Sequence, residues 1–153
     1  MSAKHPRGPL VPPVYLLAGL AVMVALHFFL PLWEFGAPGA RWVGIAIAAL
    51  GIAVVLWAAW LFNRSKTGVV PFSPATFLVL GGPYRVTRNP MYVGMALVLL
   101  GAAVFLASLA PFIVLPLFVL LINNRFILAE EAMLEEVFGQ AYLDYKGKVR
   151  RWL

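Results

Sequence analysis

Residues 82–94 read GPYRVTRNPMYVG, a Gly-Pro turn, two arginines, an Asn-Pro step and the first residues of an apolar run. The Asn-Pro step is a helix start. Asparagine is a good N-cap, and proline suits the first helical turn, whose N–H groups have no intrahelical partner in any case. Tyr84, Arg85, Arg88 and Tyr92 therefore collect at the mouth of a helix that opens at Pro90.

Working outward, the run after Pro90 is one of four apolar stretches, at about residues 14–32, 41–62, 90–108 and 111–128. Each is long enough to cross or nearly cross about 30 Å of hydrocarbon at about 1.5 Å per helical residue. The 153 residues are 63% hydrophobic and 12% charged, and mean hydropathy is +0.91. That is far above the roughly half apolar content of a soluble domain. The expected fold is an all-α integral membrane protein with about four transmembrane helices and a cytoplasmic C-terminal helical tail. No internal repeat divides it, so residues 1–153 form one domain, with a connector at 63–89 and a tail at 129–153. With no cysteine there is no disulfide framework. The N-terminal MSAKHPRGPLVPP is charged like the start of a signal peptide, but no small-residue cleavage site follows, so the first span is expected to be retained.

Placing the N-terminus in the cytoplasm puts every lysine and arginine on that side except Arg41, as the positive-inside rule requires. The expected location is a prokaryotic inner membrane, with both termini cytoplasmic. A formal charge of +6 spread along one membrane face suits anionic headgroups rather than nucleic acid. No obligatory protein partner is expected. GIAIAALG at 44–51 has the small residues that let helices approach closely, within a chain or between chains.

The tail is helical in pattern up to Gly139. Counting about 100° per residue from Phe126, Met133, Leu134 and Val137 form an apolar stripe at about 340°, 80° and 20°. Glu130 falls inside it at about 40°, with Asn123 above it at about 60°, while Glu131, Glu135 and Glu136 fall on the polar side, where a solvated helix carries its charges. A carboxylate in an apolar stripe costs several kcal/mol unless it is paired. Two readings follow: a salt bridge from Glu130 to Arg85, Arg88 or Arg125, or a ligand contact. Arg85 and Arg88 can likewise be interfacial anchors and Tyr84 and Tyr92 members of an aromatic belt. Yet the arginines also stand at a positive helix end that suits an anion.

GPYRVTRNPMYVG, followed about 35 residues later by EEAMLEEVFGQAYLDYKGKVRRW, resembles the isoprenylcysteine carboxyl methyltransferase family and its relatives among the phospholipid methyltransferases. The likeness runs from about Thr76 to Trp152 and rests on an R-[HN]-P-x-Y element, a later acidic pair and FG-x-x-Y-x-x-Y. It implies a membrane enzyme that takes S-adenosyl-L-methionine from the cytosol and a lipophilic acceptor from the bilayer. Carried over by position, the cofactor contacts fall on Thr76, Phe77, Leu78, Val79, Tyr84, Asn89, Pro90, Met91, Tyr92 and Glu130. Asn89 stands where the eukaryotic carboxyl methyltransferases have histidine, and Phe126 where they have a substrate-contacting arginine, with Arg125 beside it.

On this reading Glu130 accepts hydrogen bonds from the cofactor's ribose or amino group, Arg85 or Arg88 holds its carboxylate, and Tyr84 or Tyr92 stacks on adenine or faces the sulfonium. Arg88 and Arg125 are candidates for positioning the acceptor, and no metal is expected. No catalytic base is evident, since His5 precedes the first span and His27 lies near its far end. An ionised carboxylate needs none, which points to an acceptor of the isoprenylcysteine type. The alternatives are a phospholipid amine N-methyltransferase and a non-enzymatic membrane scaffold.

Overall fold

A computed structural model describes residues 11–30, 32–64 and 77–153. The described residues are helical and contain no β-strand, only two isolated bridges. Helix α1 spans Pro12–Phe29, α2 Ala40–Arg64, α3 Pro90–Leu106, α4 Val114–Ile122, α5 Leu128–Phe138 and α6 Gln140–Lys148. The expected membrane fold is borne out. Residues Pro12–Phe29, Ala40–Arg64 and the continuous helical run Ala110–Phe138 are long and apolar enough to cross a bilayer, and Pro90–Leu106 is a shorter apolar helix.

Proline places the helix starts. Pro12 and Pro90 occupy first-turn positions of α1 and α3, where a missing N–H removes no bond. Pro111 instead sits in a short 3-10 turn, Ala110–Ile113, and the regular helix begins at Val114. The turn between α3 and α4 needs a left-handed residue, and Ala107 takes it at φ 50°.

Helices α2 and α3 run antiparallel at very close range, and glycines make this possible. A Cβ at Gly44 would stand 2.5 Å from the Phe105 backbone nitrogen; at Gly51, 2.6 Å from the Gly94 carbonyl oxygen; at Gly101, 2.5 Å from the Ala48 nitrogen. The small residues of 44–51 therefore serve a contact within the chain. On the outward face of α2, Trp42, Leu50, Leu56 and Trp57 are exposed, as lipid-facing side chains must be. The buried core lies between α1, α3 and α4, with Met23, Leu99, Phe118 and Ile122 at its centre.

The ends of the bundle differ. At one, the loop after α1 meets the α3–α4 turn, with Leu109 N–H donating to the Leu32 carbonyl at 3.1 Å and Phe35 N–H to the Ala107 carbonyl at 2.9 Å. At the other, the start of α1, the end of α2, the start of α3 and the end of α4 converge: Tyr15 packs edge-on to Phe126 at 5.5 Å, and Phe62 lies 5.3 Å from Tyr84. The polar residues gather at this second end.

A π-turn, Asn123–Ile127, joins α4 to α5, so the tail helix continues the fourth span directly. The Leu128 N–H reaches the Asn123 carbonyl, and turns of this type are frequent at functional sites. Gly139, at φ 50°, ends α5 and turns the chain into α6.

Candidate functional site

The site is built where α3 begins. The Gly82–Arg85 turn packs on the end of α2, with Gly82 in the left-handed region at φ 58° and beside Leu61 and Trp57. It buries Tyr84 and leaves Arg85 exposed. In the first turn of α5, Glu130 faces α3, and the Tyr92 hydroxyl donates to its Oε1 at 2.8 Å. Tyr92 in turn lies 6.4 Å from the ring of Phe126. Among the described residues Glu130 makes no ion pair, so the salt bridge weighed from sequence does not form.

The ion pair belongs to its neighbour. Glu131, placed by the helical wheel on a solvated face, is buried: Arg151 donates from Nε to Oε1 at 3.0 Å and from Nη2 to Oε2 at 2.7 Å. Arg88 Nη2 stands 3.2 Å from Oε1. The correction has a plain cause. A wheel sees one helix, whereas the guanidiniums covering this face arrive from the α3 mouth and the chain's last residues. Conversely Val137, placed in the apolar stripe, is 52% exposed.

Asn89 occupies the N-cap position of α3, but its side chain makes no capping bond. Its Nδ2 donates to the Arg151 carbonyl at 3.0 Å, and Thr87 Oγ1 donates to the same oxygen at 3.0 Å. The Arg88 N–H donates to the Arg150 carbonyl at 2.9 Å. These bonds lash the C-terminal segment to the α3 mouth, and Arg151 Nη1 extends the lashing to Asn123 Oδ1 at 3.4 Å. Tyr145 of α6 adds a bond from its hydroxyl to the Tyr84 carbonyl at 2.7 Å.

Burial pushes the Tyr145 phenol up to about 12, against the opposing effect of Arg88. Tyr84 is raised further, by burial first and then by Tyr145 and Glu130. Both are therefore neutral hydroxyls at physiological pH. The Arg151 guanidinium is held above its ordinary value mainly by its hydrogen bond to Glu131.

The structure thus brings Tyr84, Arg88, Asn89, Pro90, Met91, Tyr92 and Glu130 to one end of the bundle. Leu78 and Val79 are half-buried and Phe77 is exposed, and Thr76 lies outside the described residues. Arg125 is exposed on the π-turn. Thr87, Tyr145 and Arg151 were not singled out from sequence, and Glu131 was expected on the solvated face. The signal for Tyr145 was present in the FG-x-x-Y-x-x-Y pattern, but nothing in KVRRW separates Arg151 from a membrane anchor.

Comparison with known proteins places this arrangement. The fold matches that of the eukaryotic intramembrane Ras methyltransferase, an isoprenylcysteine carboxyl methyltransferase, with TM-score 0.66 and 22% identity over 92% of this chain and 51% of that one. The chain spans about half the length of that structure. An uncharacterized protein of Haemophilus influenzae is 41% identical over 63 residues, 41% of this chain and all of the relative. The family model for phospholipid methyltransferases matches residues 40–141, more than half of the chain. The chain belongs to the phospholipid methyltransferase family, and its long apolar helices are those of an integral membrane protein.

Proposed function

We propose that the protein transfers a methyl group from S-adenosyl-L-methionine to a lipophilic acceptor drawn from the bilayer, with the site facing the cytosol. The observation that carries this reading is Glu130, a carboxylate set against α3 whose hydrogen bond comes from the neutral Tyr92 hydroxyl and which no cation neutralises among the described residues. Such a group is complementary to a ligand bearing hydroxyls or positive charge. The cofactor supplies an activated methyl group on a sulfonium. Glu130 would accept from its ribose or amino group, with Tyr92 fixing the carboxylate's rotamer. Tyr84, held through its carbonyl by Tyr145, would form an aromatic wall to the same space.

For these residues the work is positioning and exclusion of water, since in-line displacement needs alignment rather than a covalent partner on the protein. His27, the one histidine among the described residues, lies near the far end of α1 against Phe28, away from the site. That favours an acceptor already ionised, a lipophilic carboxylate of the isoprenylcysteine type. Methylation of such a carboxylate would give an ester, with the sulfonium becoming a thioether, and would require no residue of the chain to take a proton. The family match favours a second reading, a phospholipid amine as acceptor.

The test is calorimetry of S-adenosylmethionine and its demethylated product on the protein in nanodiscs, beside Glu130→Gln. Saturable binding lost in a variant of unchanged Tm supports the site; no binding to the folded wild type defeats the reading. Labelled methyl transfer to membranes separates the acceptors, because base frees the label of a carboxyl methyl ester as volatile methanol, whereas a methyl group on a phosphatidylethanolamine nitrogen stays on the headgroup.

A further inference from the structure

Arg88 is a buried cation whose hydrogen-bonding capacity is mostly unused. Its side chain is 8% exposed, and Nε and Nη1 are buried without a partner. Three of the guanidinium's five N–H donors are therefore unpaired. The remaining nitrogen, Nη2, meets Glu131 Oε1 at 3.2 Å, but both oxygens of that carboxylate already accept from Arg151. Two guanidiniums share one carboxylate, leaving an excess of one positive charge. Glu130, next along α5, does not offset it, being engaged with Tyr92 and outside ion-pair distance of Arg88. The Tyr145 hydroxyl beside Arg88 donates elsewhere, to the Tyr84 carbonyl.

Burying a permanent charge with idle donors is unfavourable unless something completes the set. The start of α3 adds to the imbalance: Asn89 leaves the helix end uncapped by turning its side chain to the Arg151 carbonyl, so the positive helix end remains unanswered. Stapling the tail does not explain Arg88, since Arg151 already holds Glu131 at both oxygens.

We propose that Arg88 is the receptor for a compact oxyanion, the carboxylate at the amino-acid end of the adenosylated cofactor, and that exposed Arg85 is not. The inference rests on the methyltransferase reading and deepens it. Glu130 and Arg88 are then opposite, mutually unpaired poles held by consecutive residues of α5, the one directly and the other through Glu131. That arrangement matches a zwitterion. A lipid phosphate shares the oxyanion chemistry, but the Arg88 side chain faces α5 and its backbone N–H donates to the Arg150 carbonyl, on the side of the C-terminal segment.

The experiment compares S-adenosylhomocysteine with 5′-methylthioadenosine, an adenosyl thioether lacking the amino-acid end, by calorimetry in phosphatidylcholine nanodiscs. Wild type should prefer the former, and Arg88→Gln should erase the preference by weakening it about 10- to 100-fold while methylthioadenosine binds unchanged. Binding of methylthioadenosine certifies that the variant is folded. Arg151→Gln, which removes the staple instead, should lower Tm yet keep the preference. An Arg88→Gln protein with the wild-type ratio overturns the assignment, as does a ratio that responds to phosphatidylglycerol in the disc rather than to the variant. If wild type binds both ligands equally, Arg88 alone was misassigned; if it binds neither, the methyltransferase reading falls with it.

Discussion

Glu130 and Glu131 are adjacent and chemically identical, yet the one meets a tyrosine hydroxyl and the other two guanidiniums. Glu131, its side chain 6% exposed between two guanidiniums, is a structural carboxylate. Its replacement by glutamine leaves two cations facing each other without their counter-charge, and breaking a buried pair in this way costs about 3–5 kcal/mol. Glu131→Gln should therefore lower Tm sharply in detergent, whereas Glu130→Gln should leave Tm unchanged and remove cofactor binding. A reversed pattern would mean the two roles have been exchanged. The wheel made one half of this distinction legible, flagging Glu130 as a carboxylate on an apolar face. It missed Glu131, because the covering groups are 43 and 20 residues away in sequence.

Among the elements, the α2–α3 pair carries the tightest constraint. Helices in lipid gain little from burying apolar surface against one another, so close packing through small residues must supply the adhesion. Gly101 faces the Gly44 carbonyl oxygen at 2.5 Å from where a Cβ would lie. Gly101→Val should separate the helices and destabilise the bundle by about 1–3 kcal/mol or more, read as easier unfolding by SDS titration. Wild-type resistance would show that the helices yield at no cost. The four spans were legible as elements because hydropathy and length define them without reference to neighbours. The π-turn was not: NNRFI carries no pattern that separates it from regular helix, and its place follows from where α4 and α5 must each face.

For the whole molecule, the bundle is polar at one end. Arg64, Arg85, Arg88, Arg125 and the basic residues of 146–151 share the end that carries Glu130, while Arg41 begins α2 at the other. By the positive-inside rule we expect this end to face the cytosol. Because the chain has no cysteine, single substitutions report topology cleanly. Gly36→Cys, in the loop after α1, should react with an impermeant maleimide on intact cells, and Gly147→Cys, in α6, only after lysis. The opposite labelling would invert the molecule and detach the site from cytosolic cofactor.

Hydropathy, proline positions and charge placement determined the membrane class, the spans and the end at which the polar residues gather, since these depend on the solvent each residue meets. The tertiary structure alone decided that Asn89 turns to the Arg151 carbonyl, that Glu131 rather than Glu130 holds the arginines, and that Arg88 is left with idle donors. Those outcomes depend on which distant segments meet, and hydrogen bonding between residues 60 or more positions apart leaves no periodicity in a sequence.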